Sequence, residues 1–107
     1  MVGKAKLLKI YVGEKERFEG KSLYQHLVYW LKEKGVSGVT VLRGIEGYGQ
    51  DKVIHTFRLL ELSSDLPMVL EVIDSAEKIE AILPEVCKMV PKGLVFTTDI
   101  EVHKYGK

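Results

Sequence analysis

The sequence predicts an α+β fold, a ferredoxin-like βαββαβ sandwich with a four-stranded antiparallel sheet and two helices on one face. Four apolar runs with strand-like alternation or β-branched residues predict the strands, and two runs with helical spacing predict the helices. In chain order they form two βαβ units separated by a long excursion. The 107 residues fit one domain spanning residues 1–107, which is large enough to bury a core.

The first strand and the first helix have clear local signals. Residues 6–12 alternate between two faces and predict strand one. Ser22, followed by Gln25 three residues later, predicts a capping box that begins a helix over residues 22–34. Gly35 follows as its C-terminal cap.

The middle of the chain carries strand two, the excursion and strand three. The β-branched run Val39, Thr40 and Val41 predicts strand two over residues 39–43, and residues 68–73 form the apolar strand three. Between them, residues 53–59 alternate and predict either an extended arm or one limb of a hairpin. Residues 63–65, Ser-Ser-Asp, predict a turn.

Helix two and strand four complete the second unit. Asp74 and Ser75 compete to cap helix two, whose interior Pro84 predicts a kink or a restart. Residues 94–103 alternate and predict strand four. The buried stripe of helix two is predicted at Ile79, Ile82, Leu83, Val86 and Val90.

Two helices can cover only one face of this sheet. Val69 and Ile73 of strand three, together with Val95 of strand four, are predicted on the opposite face. An apolar second face needs a cover, and association between copies of the chain is the usual one.

A glycine-rich loop follows strand two. Gly44, Gly47 and Gly49 lie within six residues, next to Arg43. Glycines let a ligand approach the backbone closely, and main-chain N–H groups beside a cation suit an anion. A bend or bulge after a strand gives the same local pattern, so both interpretations are open at this stage.

Composition excludes several classes of function. The formal charge is +1 and charges of both signs are interspersed, so neither a nucleic-acid partner nor membrane-surface binding is expected. The uncharged stretches are too short to insert across a bilayer. The first residues lack the apolar core of a signal peptide, which predicts a cytoplasmic protein.

Neither catalytic nor metal-binding residues are predicted. His26, His55 and His103 are widely separated and Cys87 has no local partner, so no spacing matches a metal site within one chain. No Ser-His-Asp order, Gly-x-Ser-x-Gly motif or P-loop occurs. The chain is therefore not expected to be an enzyme.

Several longer stretches of the chain form specific motifs: Leu7 to Gly13, Gly38-Val39-Thr40-Val41, Arg43-Gly44-Ile45, Gly47-Tyr48-Gly49, Asp65-Leu66-Pro67 and Gly93-Leu94-Val95-Phe96-Thr97. In these motifs the chain resembles the PII-like signalling proteins, and most closely the domain-of-unknown-function 190 family within that superfamily. The resemblance covers nearly the full length.

The resemblance implies a homotrimer that binds an adenine nucleotide (AMP, ADP or ATP) in clefts between subunits and requires no other cofactor. It places Gly38, Val39 and Thr40 against the base, with Glu71 near the adenine. It places residues 47–50 around ribose and phosphate, and the Lys92-Gly93 turn with His103 and Lys104 on the neighbouring subunit. The implied nucleotide-binding residues are Gly38, Val39, Thr40, Arg43, Gly44, Gly47, Tyr48, Gly49, Gln50, Glu71, Lys92, Gly93, Leu94, His103 and Lys104.

Several positions depart from the PII pattern. Gln50 stands where the loop-stem arginine is found, and Asp51 replaces the glutamine that helps to hold Mg²⁺ and 2-oxoglutarate. His103 and Lys104 replace strand-four arginines. Fewer phosphate-binding cations favour AMP, ADP or a cyclic nucleotide over Mg-ATP.

The resemblance also implies a regulatory role. The loop from Gly47 to Ser64 is expected to present a surface to a protein target, such as a transporter or an enzyme. Two alternatives remain open: a metal-binding trimer similar to the copper-tolerance family, and a structural interaction module without a ligand.

Overall fold

A computed structural model of the chain describes residues 1–57 and 65–106. It contains two helices and a four-stranded antiparallel sheet, which confirms the predicted fold class. The elements are β1 (Gly3–Gly13), β2 (Arg17–Phe18), β3 (Lys21–Ser22), α1 (Leu23–Glu33), β4 (Gly38–Arg43), β5 (Glu46–Gly47), β6 (His55–Thr56), β7 (Pro67–Asp74), α2 (Ala76–Met89) and β8 (Leu94–Val102).

The large sheet has the order β4–β7–β1–β8, so β1 is an inner strand and β4 and β8 form the two edges. Ile10 of β1 pairs with Leu70 of β7 on one side and with Val95 of β8 on the other. The first strand begins earlier than predicted because its N-terminal part, from Gly3 onward, pairs with the end of β8.

Both helices pack on one face of the sheet, where the alternation of β1 places Leu8, Ile10 and Val12. Leu8 and Ile10 are fully buried. Burial of such a side chain stabilises the fold by about 1.5–3 kcal/mol. The remaining buried members of this core are Leu23, Leu27, Leu31, Met68, Leu70, Val72, Ile79, Ile82, Val86 and Met89.

Both ends of α1 lie where predicted, with Ser22 as the N-cap residue, but the capping box does not form. Gly35 has φ +80, and its N–H donates to the Lys32 carbonyl while Val36 N–H donates to Leu31, which is a Schellman motif. At the other end, the Ser22 side chain makes no capping hydrogen bond. The predicted capping box is wrong because Ser22 pairs with Arg17 in the β2–β3 hairpin.

At α2 the competition between two capping residues is resolved. Ser75 is the N-cap, and its Oγ accepts a hydrogen bond from Lys78 N–H at 3.2 Å. Asp74 instead accepts from Ser75 N–H at 2.7 Å. The helix runs through Pro84 without a break, so the alternative of a restart at that residue is wrong.

The second face of the sheet carries no helix, and its composition differs from the prediction at one position. Val69 pairs with Tyr11 on this open face, and Tyr11 stacks on Phe96 at 6.1 Å between ring centroids. Val95 was expected here, but it pairs with Ile10 and packs on the helix side. Leu94 and Phe96 replace it on the open face and are 53% and 38% exposed.

Asp74 joins the start of β4 to the start of α2. Its Oδ2 accepts from Ser37 N–H at 2.9 Å and from Ser37 Oγ at 3.1 Å, and its Oδ1 accepts from Ser75 N–H. Desolvation alone raises the pKa of the Asp74 carboxyl, but these hydrogen bonds outweigh it and hold the pKa below 3.8. The charged form of Asp74 is therefore the form that stabilises the fold.

We expect Asp74→Asn to lower the free energy of unfolding by about 1–2 kcal/mol at pH 7, because either orientation of the amide turns its NH₂ group toward a backbone donor. A depressed folded pKa gives stability that is present above the unfolded pKa and lost as pH falls through the folded one. The difference between wild type and variant should therefore shrink below about pH 3.9.

Urea denaturation at pH 7, 5 and 3 measures this difference. Asp99→Asn is the matched control, since the Asp99 side chain is 91% exposed and lies 3.8 Å from Lys6, and its effect should stay within about 0.5 kcal/mol. A difference at Asp74 that does not change with pH would contradict the assignment.

Candidate functional site

The glycine-rich loop becomes a hairpin that leaves the sheet at the end of β4. Glu46 pairs with Thr56 and Gly47 with His55, and Phe57 N–H donates to the Ile45 carbonyl at 2.7 Å. Of the two forms predicted for residues 53–59, the hairpin limb is the one formed up to residue 57. Leu59 of that limb, and Ser63 and Ser64 of the predicted turn, lie outside the described residues.

The tip of the hairpin is organised by its own hydrogen bonds. Lys52 N–H donates to the Gly49 carbonyl at 3.0 Å, and Val53 N–H donates to Asp51 Oδ1 at 3.0 Å. The Lys52 ammonium lies over the ring of Tyr48, 5.6 Å from its centroid. These contacts fold the tip against itself, with Tyr48, Gly49 and Gln50 all exposed.

The glycines of this loop differ in what surrounds them. A Cβ on Gly44 would lie 2.7 Å from Pro67 Cγ, and Gly44 N–H donates to the Pro67 carbonyl at 2.7 Å. Gly44 is therefore explained by close packing at the hairpin root. A Cβ on Gly49 would meet nothing within 4 Å, so its backbone is open to an approaching ligand.

Arg43 is held by neighbours within the chain. Its Nε lies 3.0 Å from Glu14 Oε2, and its Nη2 donates to Glu14 Oε1 at 3.1 Å. The guanidinium also lies over the Phe57 ring at 5.8 Å. Glu14 directly follows β1, and its N–H donates to the Leu66 carbonyl. The ion pair between Arg43 and Glu14 therefore connects the hairpin root to the loop after β1.

The turn before β8 requires glycine. Gly93 has φ +129, and a Cβ there would lie 2.1 Å from the Tyr11 carbonyl oxygen. Lys92 is exposed beside it. Burial raises the pKa of the Glu16 carboxyl above its usual range, and the nearby Lys92 ammonium partly offsets this shift. The turn therefore offers one cation and a closely packed backbone.

Three candidates on inner and edge strands have distinct orientations. Thr40 pairs with Glu71 on the open face, where Glu71 Oε2 lies 3.3 Å from Lys9 Nζ. Val39 pairs with Val72 and packs against the core. Only the backbone of Val39 can therefore take part in a site on the open face.

The residues after β8 reach the start of β4, which the sequence did not indicate. His103 and Lys104 are exposed, and His103 Nε2 lies 3.7 Å from Glu101. Tyr105 then donates its hydroxyl hydrogen to the Ser37 carbonyl and lies against Gly38. A single aromatic residue after a strand has no local pattern that would have identified this contact.

One chain does not bring all the candidate residues together. Lys92, Gly93 and Leu94 belong to the β8 edge, whereas the hairpin leaves the β4 edge. Three strand spacings separate these edges, which is about 14 Å. Within one chain the two groups of candidates are therefore separated by this distance, and a closer approach requires a second copy of the chain.

Other parts of the described chain offer little for chemistry. A shallow groove of about 320 Å³ is lined by Lys21 and Ser22 of the β2–β3 hairpin and by Gln25, His26 and Tyr29 of α1. His26 stacks on Phe18 at 4.5 Å between ring centroids. No group of three metal-ligating side chains occurs in residues 1–57 and 65–106, and no helix in these ranges could span a membrane.

Comparison with solved structures identifies the fold as PII-like. A protein from Thermus thermophilus, assigned to the PII-like signaling proteins, gives a TM-score of 0.70 at 19% identity over 95% of this chain and 92% of its own. CPII from Thiomonas intermedia K12, a nitrogen regulatory PII-like protein bound to ADP, AMP and bicarbonate, gives 0.66 at 19% over 97% and 92%. CutA1 from Oryza sativa gives 0.61 at 16% over 99% and 85%.

The chain belongs to the DUF190 family (Uncharacterized ACR), whose profile matches residues 5–102. A UPF0166 protein from Aquifex aeolicus is 46% identical over 94% of this chain and 95% of its own length. Another from Methanocaldococcus jannaschii is 42% identical over 94% of both. The family assignment confirms the resemblance found in the sequence.

Substitution of Gly93 and Gly49 should distinguish a glycine that close packing requires from one that faces open space. We expect Gly93→Ala to cost at least about 3 kcal/mol of folding stability, because it combines a positive φ with a clash against the Tyr11 carbonyl. Gly49→Ala, which meets open space, should change stability by less than about 0.5 kcal/mol. Thermal and urea unfolding of both variants measures the contrast, and a Gly93→Ala protein as stable as wild type would contradict the packing at this turn.

Proposed function

We propose that this chain is a cytoplasmic, single-domain regulatory protein that binds an adenine nucleotide in clefts between the subunits of a homotrimer. The observation that carries the proposal is the division of the candidate residues between opposite edges of the sheet. A nucleotide that contacts both the hairpin root and the Lys92 turn needs two copies of the chain. The ADP- and AMP-bound CPII structures, which share the fold, supply the ligand class.

The open sheet face supports association. Leu42 of β4, Val69, Tyr11 and Leu94 form one apolar row across all four strands of the sheet, as their pairing shows. Leu42 is 48% and Leu94 is 53% exposed in the single chain. A row of this kind is stabilised by burial against other copies.

The cations near the proposed cleft favour a nucleotide with few phosphates. The Arg43 guanidinium is already paired through two nitrogens with Glu14. Lys92 and Lys104 are exposed and are available to contact phosphate oxygens, to which the His103 ring can donate a hydrogen bond. Two lysines can contact the phosphate groups of AMP or ADP, whereas ATP presents a further phosphate group for which these cations leave no partner.

The proposed role is regulatory and not catalytic. The hairpin presents apolar side chains to solvent, including Ile45 at 74% and Ile54 at 65% exposure. Such a surface suits a protein target, either a transporter or an enzyme. A nucleotide that binds at Gly47–Gln50 would favour the hairpin conformations that contact it. It would thereby change the surface that the hairpin presents to the target.

A metal-binding trimer is the second candidate, since CutA1 shares the fold. His103 and Glu101 lie 3.7 Å apart and would need further ligands from another copy. Metal analysis of protein purified without a histidine tag tests this candidate. Stoichiometric metal that is lost in His103→Ala would favour it over the nucleotide sensor.

Calorimetric titration of the assembled protein with AMP, ADP, ATP and cyclic AMP, with and without Mg²⁺, tests the main proposal. We expect saturable binding near one site per chain, with AMP or ADP tighter than Mg-ATP. Gly49→Val should abolish binding while light scattering shows an intact trimer. Lys92→Ala should weaken ADP binding about 10-fold through the loss of a charged hydrogen bond.

Lys88→Ala is the matched control for Lys92, because it removes the same charge from the exposed last turn of α2 and should leave binding unchanged. Absence of binding for all four nucleotides would reject the sensor. Unchanged binding in Gly49→Val would reject the hairpin as part of the cleft.

A further inference from the structure

The residues after β8 cross the end of the sheet and reach its opposite edge. Strand β8 ends at Val102 on one edge, whereas Ser37 and Gly38 lie at the start of β4 on the other. The Tyr105 hydroxyl donates to the Ser37 carbonyl. Residues 103–106 are called the crossing segment below.

Tyr105 occupies the space above Gly38. A Cβ on Gly38 would lie 3.3 Å from the Tyr105 hydroxyl oxygen and 3.8 Å from its Cε1. Gly38 pairs with Ile73, which pairs with Leu7, so its missing side chain would point to the open face. The lack of a side chain at this position therefore makes room for the aromatic ring.

The acceptor for Tyr105 is preformed, and the docking is weak. Ser37 is fixed by its N–H and Oγ, which both donate to Asp74 Oδ2. Tyr105 remains 45% exposed, so one hydrogen bond and a partial ring contact hold it. An interaction of this size is overcome by a ligand of ordinary affinity.

We propose that Tyr105 of the crossing segment is an internal competitor for the base in the nucleotide site. This inference rests on the proposed function and on the contact between Gly38 and the base that the family resemblance implies. The ring of Tyr105 and a base cannot both lie over Gly38. Nucleotide binding then requires the ring to leave, and the apparent affinity falls with the fraction of molecules in which the segment is docked.

Substitution of Tyr105 tests the sign of this effect. Tyr105→Ala should raise the affinity for AMP and ADP about 2- to 10-fold, the range that corresponds to one hydrogen bond, and Tyr105→Phe should give a smaller increase. Tyr29→Ala is the control, since Tyr29 is 68% exposed on α1, and should have no effect. A lower affinity in Tyr105→Ala would show that the ring contacts the ligand and would overturn the proposal, as would an unchanged affinity.

Hydrogen exchange without nucleotide separates docking from the proposed function. Tyr105→Ala should speed exchange of the Ser37 and Gly38 amides several-fold, while Tyr29→Ala leaves them unchanged. Unchanged exchange in Tyr105→Ala would mean that the segment does not dock, which overturns the competitor even if nucleotide binds. If Tyr105→Ala speeds exchange of these amides but neither the wild type nor any variant binds nucleotide, the proposed function is wrong. The proposed competition is then wrong as well.

Discussion

The pairing of β1 with neighbours on both sides is the constraint on which the rest of the molecule depends. Its alternation sends Leu8, Ile10 and Val12 toward the helices and Tyr11 toward the open face, between Val69 and Leu94. A slip of one residue would exchange these two sets and expose the core. The same strand also supplies the carbonyl against which the turn before β8 closes, so the position of the candidate cations follows from it.

Much of the fold could be predicted because its signals are local. The alternation of β1, the helical spacing of α1 and the glycine that ends α1 each lie within a few residues. Val95 was placed on the wrong face because alternation gives two faces without saying which one is covered. That choice is made by pairing with Ile10, far away in sequence. The predicted capping box at Ser22 was wrong for a similar reason. Strands β2 and β3 have two residues each, which is too short for alternation in the sequence to predict them.

The candidate site was less predictable than the fold. The sequence pointed to a group of glycines but could not separate Gly44, which packs on Pro67, from Gly49, which faces open space. It placed Arg43 near an anion, and the anion proved to be the side chain of Glu14, 29 residues away. The partners Tyr105 and Ser37 are separated by 68 residues. Contacts between such distant residues depend on the assembled sheet and leave no short-range pattern.

Ser37 connects two parts of the chain through its three polar groups. Its N–H and Oγ bind Asp74, the residue before the cap of α2, while its carbonyl binds Tyr105. The crossing segment and the start of α2 are therefore linked to each other through hydrogen bonds to one residue, Ser37. A shift of the Ser37 backbone would therefore act on both contacts at once.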